Sequence, residues 1–201
     1  MSDPRQRQQD ITGKPPRIEP LAKEEMGPEA QTIADRIRSA AGATATGEVP
    51  EMVGTMLRHP SLYAKHVELG TELLGNGALS ARHRELAILR TGWLLGAPYE
   101  WGEHVGIGKR AGLTAAEIER VTQGSVAPDW SAEDRAVIRA AEELRRHAMI
   151  SDATWAELAT FLDETQLIEL PYLIGNYTKV AYLQNSLRFR LRDGNAGLTA
   201  R

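Results

Sequence analysis

The chain has 201 residues, 42% hydrophobic and 25% charged, the balance of a soluble globular protein. It contains no cysteine, which excludes a disulfide framework, a thiolate metal site, an iron–sulfur cluster and a cysteine nucleophile. Its 24 basic and 27 acidic residues leave a net charge of −3, so no global field favours nucleic acid or an anionic membrane.

The start, MSDPRQRQQD, lacks the apolar stretch of a secretory signal. No apolar run approaches the ~20 residues of a membrane span. A soluble, cytoplasmic protein is expected, with neither nucleic acid nor membrane as partner. Half of the ten prolines (Pro4, Pro15, Pro16, Pro20 and Pro28) lie within or at the edge of residues 1–27. That stretch predicts an extended or disordered arm, or one draped over a neighbouring subunit by Ile18 and Leu21.

From Pro28 onward, residues 28–201 predict one all-α domain. The patterning places helices at about 28–41, 50–58, 60–75, 80–96, 98–111, 114–123, 131–148, 151–162 and 164–189. The punctuation sets their limits. Ser80, Ser131 and Ser151 stand where N-caps belong, and Thr114 with Glu117 has capping-box spacing. Pro98 suits a first turn, and Gly112 suits a left-handed stop. Pro171 falls inside the last helical run, which it kinks or splits. Leu86, Leu89 and Trp93 form one apolar stripe. Val137, Ala141 and Leu144 form another, and Leu173, Tyr177, Val180 and Leu187 a third; all read as core or interface. The architecture expected is a bundle of packed helical hairpins.

The chemistry concentrates in residues 82–118, RHRELAILRTGWLLGAPYEWGEHVGIGKRAGLTAAEI. Glu85 lies on one helix; Glu100, Glu103 and His104 lie on the next. Glu100 and His104 are four residues apart and share a face, whereas Glu103 points some 100° away. The short Gly96-Ala97 connection predicts an antiparallel hairpin, in which Glu85 faces Glu100 and His104. Two carboxylates and an imidazole in an apolar setting can move protons. The same spacing also suits a solvated helix pair, with Glu100 held by the helix dipole. The three residues are acceptable zinc, iron or manganese ligands too, but no second histidine stands three or four positions from His104. Neither a metal nor a cofactor is expected.

The run RELAILRTGWLLGAPYEWGEHVGIGKRAGLTAAEIE resembles the carboxymuconolactone decarboxylase family, whose fold is all-α and alkylhydroperoxidase D-like. HPSLYAKHVELGTELLGNGALSARHRE before it and IELPYLIGNYTKVAYLQNSLRF after it extend the likeness to about residues 50–190. The peroxidase-type branch of that fold carries a glutamate, a CxxC pair and a histidine. By that resemblance they fall on Glu85, on Ala97 and Glu100, and on His104. Both thiols are absent, so thiol peroxidase activity is excluded on chemistry.

The resemblance implies cofactor-independent decarboxylation, or related lyase or isomerase chemistry, on a small lactone or organic acid. Alternatives are a metal-assisted oxidoreductase and a non-catalytic binding or assembly protein. His104 is then the proton donor or the enolate stabiliser, and Glu100 or Glu85 orients it or relays the proton. Arg82, and less strongly Arg90, would anchor a substrate carboxylate. Trp101 and Tyr99 would wall the pocket. The family also implies a homo-oligomer, a trimer or hexamer or else a dimer.

Overall fold

The computed structural model describes residues 3–40 and 49–201. Within them lie ten α-helices and no strand: α1 (Pro4–Thr12), α2 (Pro28–Ala40), α3 (Glu51–Met56), α4 (Pro60–Thr71), α5 (Ala81–Leu94), α6 (Pro98–Arg110), α7 (Ala115–Gln123), α8 (Ala132–His147), α9 (Asp152–Leu158) and α10 (Glu164–Leu187). A wider π-helical turn, Glu72–Asn76, prolongs α4. Position 41, where the pattern ends the first long helix, lies outside the described residues. No helix among them is long and apolar enough to cross a membrane.

The caps work as their residue types require. Ser80 accepts from the His83 N–H at the head of α5, Ser131 from Asp134 and Ser151 from Thr154. Thr114 and Glu117 exchange both bonds of a capping box. Pro171 sits inside a continuous α10 rather than dividing it.

The N-terminal segment departs from expectation. Its first residues form α1, because Pro4 occupies the first turn, where a missing N–H costs nothing, and the Asp3 carboxylate caps the Arg5 N–H at 3.0 Å. Pro15, Pro16 and Pro20 all follow the helix instead of interrupting it. Ile11 is buried, and the Gln8 side chain accepts from Leu198 N–H at 2.8 Å, tying α1 to the C-terminal 3-10 turn Gly197–Thr199. Leu21 packs within its own chain, its N–H donating to Gly54 at 3.2 Å. Ile18 is exposed.

Two apolar clusters organise the chain. The larger joins α5 to α10, with α5 at its centre; Glu85 through Gly92 are all buried, so this helix meets protein on every side. Leu86, Leu89, Leu170 and Leu173 are fully enclosed, each contributing about 1.5–3 kcal/mol. The smaller cluster joins α2, α3 and α4 through Ala30, Ile33, Ala34, Val53, Leu57 and Tyr63. A cavity opens between residues of these two groups of helices.

Candidate active site

A helix surrounded on all sides must bury whatever polar residues it carries. That is why Glu85, on α5, is 0% exposed, and burial of a carboxylate demands partners. It has two. Arg84 Nε donates to Oε1 at 3.0 Å, and His104 Nδ1 donates to Oε2 at 2.7 Å. The chain reaches His104 by reversing at Gly96, whose φ of +53° is left-handed, and by starting α6 on Pro98. α5 and α6 then run close together, since a Cβ on Gly108 would lie 3.1 Å from Leu113 and 3.3 Å from Leu89. His104 itself is 6% exposed, and its ring meets Tyr177 of α10 edge-on, with centroids 4.9 Å apart at 89°.

Glu100 lies one turn before His104 on the same face of α6 and is 2% exposed. It fits beside α5 because Gly92 has no side chain; a Cβ there would stand 3.3 Å from Oε1. Neither carboxyl oxygen has a hydrogen-bond partner among the described residues. Burial therefore raises its pKa well above the usual carboxylate range, keeping it protonated despite the dipole of α6. Glu100 and His104 are thus not a solvated helix pair. Among the described residues no group of three His, Cys, Asp or Glu is arranged around a metal position.

The cavity beside these groups has a volume of about 540 Å³. Tyr99, Glu100 and His104 of α6, Tyr177 of α10, Arg38 of α2 and Tyr63 of α4 all line it. Burial, reinforced by the Glu100 and Glu85 carboxyls, pushes the Tyr177 phenol far up, so it remains a hydrogen-bond donor. Burial likewise pushes Tyr63 and Tyr99 up to about 12. At the rim, Glu103 is bound by Arg192 and Asn195. Nearby, Lys179 Nζ donates to Asn176 Oδ1 at 2.8 Å and to His66 Nδ1 at 3.2 Å.

Three residues expected at the site lie elsewhere. Arg82 points away from His104, into a cluster with Glu117 and Asp134, whose Oδ2 lies 2.8 Å away. Arg90 spans to α7 and α8, donating to the Val121 carbonyl at 2.8 Å and pairing with Glu142 at 2.8 Å. Both arginines hold helices together and neither lines the cavity. Trp101 is fully buried against Trp93, its Nε1 donating to the Ala200 carbonyl at 3.1 Å; it is packing, not a pocket wall. Tyr99 does line the cavity. Two cavity residues escaped the sequence reading as site groups, Tyr177 and Arg38. Tyr177 was legible as one member of an apolar stripe on a last helix expected to close over the pocket or an interface, without a chemical role. Arg38 left a stronger signal, standing four residues after Ala34 on the buried face of α2.

Comparison with known proteins matches this geometry to a known scaffold. An uncharacterized peroxidase-related protein from Silicibacter sp. TM1040 superposes with a TM-score of 0.73 at 15% identity, over 90% of this chain and 96% of that one. The alkylhydroperoxidase AhpD core protein of Ralstonia eutropha JMP134 gives 0.72 at 15% identity, over 88% and 93%. The debrominase Bmp8 in complex with 2,3,4-tribromopyrrole gives 0.70 at 15% identity, over 88% and 92%. At these identities the likeness is one of fold. No curated protein matches the chain. Residues 60–143, from the start of α4 into α8 and including Glu85, Glu100 and His104, match the model of the carboxymuconolactone decarboxylase family, and over that segment the chain is similar to this family while carrying no cysteine.

Proposed function

We propose that the chain is a cofactor-independent acid–base enzyme acting on a small lactone or organic acid, and that decarboxylation is the reaction its site suits best. One observation carries this reading: His104, held by the buried Glu85 carboxylate at 2.7 Å, lines a cavity that Tyr177 also lines. In such a reaction the bond between the carboxylate and its carbon breaks, and CO₂ leaves. The electron pair passes into a conjugated carbonyl, giving an enolate. The Tyr177 hydroxyl donates to the enolate oxygen. His104 delivers a proton to the carbon while Glu85 stabilises the imidazolium, and solvent returns the proton to His104.

Glu100 supports this chemistry as a neutral acid. A second buried negative charge beside Glu85 would repel the enolate; a protonated carboxyl does not, and it holds a proton next to the reacting centre. The chain has no thiol at Ala97 or Glu100, so the acid–base groups are what remain of the family's chemistry here. The test is a screen of the purified protein against small lactone acids labelled in the carboxylate. Labelled CO₂ released by the native chain and abolished in His104→Ala supports the proposal; release that survives the substitution ends it.

We infer further that the chain functions as a homo-oligomer. Ile168, Tyr172 and Tyr182 are 69%, 58% and 56% exposed, and their spacing puts them along one face of α10. A row of large apolar side chains in water is the mark of a surface covered by a partner, here a second copy.

A further inference from the structure

We propose that Arg38 is the specificity residue of this cavity, an anchor for an anionic group on the substrate remote from the reacting carbon. The inference rests on the acid–base reading above. It adds to that reading the polarity of the substrate and the end of the cavity at which its charge sits.

The starting point is a charge in an apolar place. α2 buries Ala30, Ile33 and Ala34 against α3 and α4, and Arg38 continues the same face one turn later at 6% exposure. A buried guanidinium has five N–H donors in a fixed fork and cannot shed its proton to escape burial. Most such groups are fully bonded by the protein. Among the described residues the ion-pair partner of Arg38 is Asp35, and its Nε has no hydrogen-bond partner. Asp35 is itself 62% exposed, so water screens much of the compensation it offers.

The carboxyls at and beside the cavity, among the described residues, are each neutralised. Glu85 is held by Arg84 and His104. Glu100 is kept protonated by burial. Glu103 and Arg192 cancel one another. Among the described residues that line the cavity, Arg38 is the buried cation whose ion-pair partner, Asp35, is largely exposed. It lines the same cavity as His104 and Tyr177 and comes from a different helix, α2. An anion seated there would gain a charge-assisted, bidentate bond in a low-dielectric setting. Tyr63 and Tyr99, which also line the cavity, suit a flat apolar body. Binding energy gained at Arg38 would then place the far end of the molecule against His104. α2 precedes the segment matched by the family model, residues 60–143, so this selectivity belongs to the chain's own N-terminal helices.

The experiment is calorimetric titration with two small probes of equal shape and different charge, benzoate and benzyl alcohol, on the full chain. Benzoate is expected to bind at least tenfold more tightly than benzyl alcohol. Arg38→Met should lower benzoate affinity at least tenfold and leave benzyl alcohol within threefold, the second probe reporting that the cavity is intact. Arg38→Lys should fall between, keeping the charge and losing the fork. Retention of the benzoate preference in Arg38→Met, or no preference in the native chain, overturns the proposal. No step of this test needs turnover. A native chain that prefers benzoate but releases no CO₂ would overturn the catalytic reading alone. A chain that turns over with the preference intact in Arg38→Met would overturn only the anchor.

Discussion

Nδ1 of His104 lies 2.7 Å from Oε2 of Glu85, and the two side chains meet between adjoining helices where water has almost no access. A carboxylate so placed fixes the imidazole tautomer, leaves Nε2 for the substrate and stabilises the ring when it takes a proton. Replacing Glu85 by Gln keeps the shape and removes the charge. We expect kcat to fall between about a hundredfold and ten-thousandfold with KM little changed, the span typical of positioned proton transfer. Steady-state kinetics on the lactone acid found by the screen checks this. A fall confined to KM would mean that Glu85 acts on binding instead.

Tyr177→Phe removes one hydroxyl and keeps the ring that stacks edge-on against His104. If the phenol serves the enolate oxygen, kcat should drop about tenfold to a thousandfold, as for other single donors of this kind. The folded structure, followed by thermal melting, should shift little. Unchanged kcat would assign Tyr177 to packing alone.

Glu100 makes stability depend on pH in a defined direction. Burial raises its pKa in the folded state above the ordinary value of 4.5, so the folded chain binds the proton more tightly than the unfolded chain does. Its contribution is therefore fully present below the unfolded pKa and is lost progressively as pH rises toward the folded one. Glu100→Gln abolishes that slope. Melting temperatures measured from pH 5 to pH 9 should show the variant gaining on the native chain as pH rises. Parallel curves would mean that Glu100 is not held protonated by folding.

Arg82 separates structure from chemistry. It holds Glu117 and Asp134, and although burial opposes the charge, the bonds from Arg82 and Thr114 bring Glu117 down to about 2. That stabilisation is present above the unfolded pKa of 4.5 and fails as pH falls toward 2. Arg82→Ala leaves Asp134, at 5% exposure, without its guanidinium and should cost about 1–3 kcal/mol. Chemical denaturation checks the loss, while kcat and KM at a temperature where the variant is folded should stay within twofold.

The exposed row on α10 predicts association. Light scattering should give at least twice the monomer mass, and Tyr172→Glu should lower it. A native chain that is monomeric at working concentration would contradict the assembly.

The parts of this structure legible in the sequence are those fixed by near neighbours. Caps such as Ser80 and Thr114 act within three residues, so helix limits follow from residue type. The meeting of Glu85 with His104 follows from a short connection and helical spacing. Partners distant in the chain were not legible. Nothing near Arg82 announces Asp134 as its partner, nothing near Arg90 announces Glu142, and nothing near Trp101 announces the Ala200 carbonyl. An arginine one turn from a catalytic glutamate looks like an anchor until tertiary packing turns it the other way. The N-terminal segment misled for another reason. Counting prolines says less than placing them, since Pro4 begins a helix and the others lie beyond its end.

The central claim is that His104 protonates carbon, and turnover in heavy water tests it most directly. With a lactone acid that the chain decarboxylates, magnetic resonance of the product should show one deuterium on the carbon that lost CO₂. His104→Gln should release no CO₂ and incorporate no deuterium above the uncatalysed background, while still binding benzoate. Product formed by His104→Gln at the native rate, with deuterium at the same carbon, would contradict the account.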